Sequence, residues 1–195
     1  DELWIGDVGW SDWEEINRIA DPTDARVENF GWPCYEGNAR QADYDAVDLT
    51  LCEALYDVPG AVEAPFFAYR RDAVPDADRC GKGTNAAISG IALSPGGEYP
   101  PRFDGALFFA DSVNSCVWAM LAGSAGLPDP GHIVTLVADA GFPVHLESGP
   151  GGDLFFVDVA AGTIHRVTAE PGGRFGDGCE RGNTSAWSAA EADGT

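Results

Sequence analysis

GALFFAD, residues 105–111, returns as GDLFFVD at residues 152–158 and, in looser form, as DELWIGD at residues 1–7. Each copy runs Leu, two large apolar residues, a small or apolar residue, then Asp. A second strand pattern follows each copy: SCVWAM at 115–120, GTIHRV at 162–167 and EEINRI at 14–19. A third precedes two of them: SGIALSPGG at 89–97 and PVHLESGPGG at 143–152. Leu107 and Leu154 are 47 residues apart, a spacing typical of propeller blades. Leu3 and Leu107 are 104 apart, about two such periods with an insertion. One small sheet of this kind leaves an apolar face uncovered, so copies must stack. Each unit reads strand, Gly turn, strand, short loop, strand, and the repeat predicts an all-β chain made of propeller blades.

Composition agrees with many short strands. The chain has 195 residues, with 45% hydrophobic residues, 25 Gly and 13 Pro. Helical spacing is plausible only over DAVDLTLCEALYD, residues 45–57. No apolar run approaches the roughly 18 residues of a membrane span. Thirty-two acidic residues against 11 basic ones give a net charge of −21, which argues against a nucleic-acid partner because phosphate repulsion would dominate. A high-salt habitat or a secreted protein kept soluble by self-repulsion accounts for the bulk of the charge.

The five cysteines stand at 34, 52, 80, 116 and 179, without C-x-x-C spacing, so a zinc module is a poor reading. Their Gly- and Pro-rich neighbourhoods favour disulfides and an oxidising, extracellular or periplasmic compartment. The pairs expected are Cys34–Cys52, closing an acidic loop, and Cys80–Cys116, tying a loop to a strand. Cys179 is left over, free or paired elsewhere.

The aspartates that end the repeated strands, Asp7, Asp111 and Asp158, read first as turn caps accepting backbone N–H groups of the next loop. The first copy differs. Three extra residues separate its strands, and it carries GWSDWEE at 9–15 where the others have short neutral loops.

LWIGDVGWSDWEEINRI (3–19), NFGWPCYEG (29–37), LCEALY (51–56), PFFAYRRD (65–72), residues 86–120 and GPGGDLFFVDVAAGTIHRV (149–167) together resemble the glucose/sorbosone dehydrogenase family. Those proteins are secreted six-bladed β-propellers that use pyrroloquinoline quinone (PQQ) and calcium. The similarity runs in order over nearly all of residues 1–168 and corresponds to the C-terminal half of such a propeller, which implies a partial six-bladed β-propeller of about three blades, each a four-stranded antiparallel sheet, with a disulfide-tied loop insertion. Residues 169–195, rich in Gly, Ala, Ser and acid, read as a tail or linker.

The resemblance implies that the backbone carbonyls of Gly9 and Trp10 face a calcium ion, with Asp7, Asp12 and Glu14 adding charge or water-mediated contacts; a hard cation wants oxygen ligands. The other reading of this loop is a tight turn, with Trp10 and Trp13 packed as core aromatics. The resemblance also implies a catalytic histidine on a blade N-terminal to this stretch. His132, His145 and His165 do not match it, so no catalytic residue is assigned. An arginine pairing with the quinone would lie upstream, and the basic cluster of the late blades is not evident. Arg70 and Arg71 read as the solvent end of a strand.

Two functions follow as expectations. One is a portion of a PQQ- and calcium-dependent sugar dehydrogenase, inactive as the isolated 195 residues. The other is a non-catalytic extracellular module for binding or assembly, completed by a second polypeptide or a second copy through its open sheet edge.

Overall fold

The computed structural model describes residues 2–75, 80, 84–97, 99–170 and 174–177, with side chains through residue 169. The chain divides into two compact units, Asp1–Val74 with Gly83–Ile88, and Pro75–Lys82 with Ser89–Thr195.

In the first unit, β1 (Leu3–Asp7) pairs antiparallel with β2 (Trp13–Ile19), from Leu3 opposite Ile19 to Asp7 opposite Glu15. Between β2 and the third strand the chain makes a two-stranded ribbon, β3 (Tyr35–Glu36) with β4 (Ala39–Arg40). Two short helices follow, α1 (Ala42–Ala46) and α2 (Thr50–Tyr56), where the sequence offered one helical segment. The Gln41 side chain accepts from the Tyr44 N–H and starts α1. Then β5 (Phe67–Arg70) returns to the free edge of β2, Trp13 opposite Arg70 and Ile16 opposite Phe67. Among the described residues this sheet has three strands, one fewer than the four-stranded blade that the resemblance implies.

The central strand β2 buries Glu14, Glu15, Ile16 and Asn17 in succession. A strand buried on both faces is ordinarily apolar. Three of these four residues are polar, so the unit must satisfy them internally.

The second unit follows the repeat closely. β6 (Ile88–Leu93), β7 (Leu107–Asp111), β8 (Cys116–Ala122) and β9 (Pro128–Val137) form one four-stranded sheet in that order. β10 (Pro143–Ser148), β11 (Leu154–Asp158), β12 (Thr163–Glu170) and β13 (Arg174–Asp177) form another. β7 is buried at every position, and β11 buries alternate residues Leu154, Phe156 and Asp158. Phe103, Phe108, Leu146, Leu154, Phe156 and Val167 share one core, with the Tyr99 hydroxyl donating to the Val167 carbonyl and accepting from the Leu154 N–H. Burial raises the pKa of that phenol.

The turn aspartates explain why the repeat ends as it does. Asp111 Oδ1 accepts from the N–H groups of Val113 and Asn114 at 3.0 and 2.9 Å. Asp158 Oδ1 accepts from Phe142, Ala160 and Ala161 at 3.1, 2.9 and 3.2 Å. Each caps a four-residue connection whose last residue, Ser115 or Gly162, has positive φ. The segment read as a tail begins inside this sheet: β12 runs to Glu170, and β13 pairs Val167 with Asp177 and Glu170 with Arg174. The rest of that segment, Cys179 included, lies outside the described residues.

Both expected disulfides are present: Cys34–Cys52 in the first unit, 18 residues apart in sequence, and Cys80–Cys116 in the second, 36 apart. Closing an 18-residue loop restricts the unfolded chain by about 3 kcal/mol in the loop-entropy account. Replacing Cys34 and Cys52 together by serine should therefore move the first unit's denaturant midpoint down by about that free energy. A midpoint unchanged within error would mean that the ribbon and helices hold the loop without the bridge.

Candidate functional site

The loop between β1 and β2 sets the first unit apart from the two repeats. It is built around Glu36, a buried residue on β3. Glu36 Oε1 accepts three successive backbone N–H groups, Ser11 at 2.9 Å, Asp12 at 2.7 Å and Trp13 at 3.0 Å. This is the geometry of an anion at a nest of amides, formed by a carboxylate from another part of the chain. Burial alone would raise the Glu36 pKa, but the three amides together outweigh it and the carboxyl sits below its ordinary value. Gly9 completes the turn by close approach: a Cβ there would fall 1.6 Å from the Trp13 carbonyl oxygen and 2.5 Å from Glu36 Oε1.

Glu15 is held similarly, Oε1 accepting from the Gly37 N–H at 2.5 Å and Oε2 from Asn17 Nδ2 at 3.3 Å. Here burial prevails and the pKa is raised, with the charges of Asp7 and Glu36 adding to it. Asp7 faces Glu15 across the strand pair, and desolvation raises its carboxyl too, although the residue as a whole is exposed.

Glu14 points the other way and is fully buried. Its Oε2 accepts from the Ile88 N–H at 2.8 Å, and its Oε1 lies 3.4 Å from Arg71 Nε. Arg71, just past β5, does not end in solvent as its sequence position implied; its side chain is only 15% exposed. Nη1 donates to the carbonyl oxygens of Gly9 and Trp10 at 2.6 and 3.0 Å, Nη2 to the Ala86 carbonyl at 2.8 Å, and Nε to Asn85 Oδ1 at 2.9 Å. Neighbouring Arg70 is exposed, bonds Asp72, lies near Asp12 at 3.9 Å and sits over the Trp13 ring. Alternation along a strand sends consecutive side chains to opposite faces. The RR pair therefore carried a signal that one of the two turns inward.

The sequence-predicted residues are thus brought into one loop, with different partners. Gly9 and Trp10 present carbonyls to a guanidinium, Glu14 pairs with that guanidinium, Asp12 lies at the exposed Arg70, and Asp7 stands across from Glu15. In this arrangement the loop does not fit a calcium ion. An ion bound to the Gly9 oxygen at about 2.3–2.6 Å would stand where Nη1 stands. Among the described residues no group of three or more His, Cys, Asp or Glu is placed to hold a metal.

The described residues do not fit a tri-anionic quinone either. Arg18 bonds Glu2, Arg26 bonds Glu63, Arg40 bonds Asp45 and Arg166 bonds Asp153. Arg70 and Arg71 are engaged as above, and Arg102 lies over the Phe103 ring. The three histidines lie in the second unit with ordinary partners. His132 is bonded to Asp129, His145 lies 3.6 Å from Glu147, and His165 is stacked on Phe156 and bonded to Thr163.

One further group lies beside the loop. Trp10 is 60% exposed and Trp32 48% exposed, so neither is a core aromatic. Their rings are stacked at 6.2 Å and 28°, and Tyr44 meets both edge-on at 6.2 and 5.9 Å. Trp13, by contrast, is partly buried, with Gly37 packed against its ring.

No family model matches the chain, and no curated protein matches it. Among solved structures it is similar to a crystal structure of glucose dehydrogenase, at 20% identity over 86% of this chain, with a TM-score of 0.58. The chain spans 41% of that protein's length. At this identity the likeness establishes the architecture alone: the antiparallel sheets of this chain have the fold of part of a glucose dehydrogenase.

Proposed function

We propose that the chain is a sugar-recognising portion of an extracellular propeller related to the glucose dehydrogenases, and that it binds the sugar on the Trp10–Trp32–Tyr44 face. The observation that carries this reading is the exposure of two stacked indoles with a tyrosine edge-on. Single exposed apolar side chains are ordinary, but a contiguous cluster of exposed aromatics marks a ligand or partner surface. A pyranose ring has an apolar face of C–H groups suited to an indole, and hydroxyls suited to the polar rim. Ser11 and Asp12 follow Trp10, and Asp43 and Asp45 flank Tyr44. The disulfides support the extracellular assignment.

Oxidation of the sugar belongs, in this reading, to a more complete protein. Of the arginines whose side chains are described, all but Arg102 are paired with a carboxylate, so no step through a quinone is assigned to this chain's residues. The same pairing favours the second reading, a non-catalytic binding or assembly module, with the same sugar face.

Titrating aldoses while following tryptophan fluorescence tests the proposal. A saturable change is expected, weakened about tenfold by Trp32→Ala, because losing one aromatic contact is worth ~1.5 kcal/mol. A response identical in the Trp32→Ala protein would remove the sugar face. Dye reduction by the isolated chain with PQQ, calcium and an aldose would show instead that the chain is itself a dehydrogenase.

A further inference from the structure

Three segments distant in sequence carry the exposed aromatics, and all three meet at Gln41, a buried residue. Its side-chain Oε1 accepts from the N–H of Tyr44 at 3.0 Å. Its Nε2 donates to the hydroxyl of Ser11, the neighbour of Trp10, at 3.4 Å across 30 residues of sequence. Its backbone N–H donates at 2.9 Å to the carbonyl of Cys34, which follows Trp32 by two residues. We propose that Gln41 is the positioning residue of the aromatic face, setting how Trp10, Trp32 and Tyr44 stand to one another without itself touching a ligand. The inference rests on the reading of those rings as a sugar face and names the residue that orders them.

An exposed ring lacks neighbours on one side, so its orientation must come from the backbone that carries it. Holding it in place before binding also lowers the cost of ordering it on the ligand. Two of the three rings are fixed without the Gln41 side chain. Glu36 accepts from the Ser11 N–H, and Arg71 donates to the Trp10 carbonyl. The Gly31 carbonyl accepts from the N–H groups of Cys34 and Tyr35 at 2.8 and 3.0 Å, which closes the turn carrying Trp32. Because Glu36 lies on β3 just after Cys34, these bonds also relate Trp10 to Trp32. They do not reach α1. That helix has five residues, too few to hold a direction by itself, and Tyr44 takes its place through Gln41.

The residue type carries the same message. The favoured N-caps are the short side chains of Ser, Thr, Asp and Asn. Glutamine gains nothing over them as a cap. Its longer arm ends in a primary amide with an acceptor and two donors, so one group caps α1 and reaches Ser11.

Two substitutions cut the bond to Ser11 from opposite ends. Gln41→Asn keeps an amide to cap α1 but is one methylene short of Ser11, and Ser11→Ala leaves the cap untouched. Thermal midpoint, near-ultraviolet circular dichroism and a tryptophan-fluorescence titration with D-glucose are compared. The part of the dichroism that Trp32→Ala removes is the signature of the stacked indoles. Each variant is expected to keep its midpoint within about 3 °C and to lose most of that signature. Each should bind glucose about fivefold more weakly, the scale of one hydrogen bond. The double variant should bind no more weakly than either single one, because one bond is lost in all three. A folded variant that retains the signature would overturn the proposal. So would one that retains the affinity of a glucose-binding wild type, or losses that multiply in the double variant. If Gln41→Asn does not fold, Ser11→Ala decides. A wild-type chain indifferent to glucose would remove the sugar reading, and the signature alone then decides: its loss in Ser11→Ala supports the role of Gln41 and its retention overturns it.

Discussion

Replacing Glu36 by alanine should destabilise the first unit by about 3–5 kcal/mol. The substitution removes one carboxylate and strands three amide donors, Ser11, Asp12 and Trp13, that now share Oε1. Each partly buried donor left without a partner costs about 1–3 kcal/mol, and hydrogen bonds to a charged acceptor are the stronger kind. Water reaching the opened loop recovers part of this, which keeps the figure below the simple sum. Glu36→Gln is the informative comparison. It keeps an acceptor of the same reach but removes the charge, so it should lose about 1–2 kcal/mol. Denaturant unfolding of the three proteins gives the order directly; a Glu36→Ala protein as stable as wild type would mean that the turn folds without its anion.

The same carboxylate has a signature in pH. The amides hold the Glu36 pKa below its ordinary value of 4.5, so the folded state binds its proton less readily than the unfolded state. Its contribution is present above pH 4.5 and is lost as pH falls through the depressed folded value. Glu15 and Asp7 have the opposite sign. Their pKa values are raised, so what they contribute is greatest below their ordinary values of 4.5 and 3.8 and declines as pH rises through the folded ones. Glu36→Gln should therefore lose the component of acid destabilisation below pH 4.5 and leave the opposing component in place.

How much of this was legible in the sequence divides along the two units. The second unit obeys a period of apolar residues, and apolar burial depends on pattern more than on partners. Leu107 and Leu154 therefore located their strands, and Asp111 and Asp158 their turns, from spacing alone. The two disulfides were legible because the cysteines lack metal-ligand spacing and stand among Gly- and Pro-rich segments and at a strand end. The first unit depends on polar residues whose partners are distant in sequence. Glu36 lies 25 residues from Ser11, and Arg71 lies 62 from Gly9. No local pattern specifies such pairs. The acidic loop stood out because its length breaks the repeat, but its guanidinium partner, Arg71, comes from the RRD end of a strand that alternation alone would have sent half to solvent. Trp10 escaped for the converse reason: a tryptophan in a turn reads as packing until its exposure is seen.

The ion pair beneath that loop carries the second large effect. Arg71→Met should cost about 3–5 kcal/mol, because it leaves the Glu14 carboxylate charged, fully buried and without its cation. The penalty comes from the stranded charge more than from the lost attraction, and a double-mutant cycle separates the two. Glu14→Gln alone keeps an acceptor for the Ile88 N–H and leaves Arg71 with four neutral oxygens, a milder change of about 1–2 kcal/mol. In the combined Arg71→Met/Glu14→Gln protein no charge is stranded. Its loss should fall short of the sum of the single losses by about 1–3 kcal/mol, and it should be more stable than Arg71→Met alone. Strict additivity would mean that water reaches Glu14 in the single variant and that the pair is no tighter than one on the surface. Recovery in the double variant would show that the loop depends on a balanced pair beneath it, with Arg71 set against Glu14, the buried carboxylate of β2 that faces it.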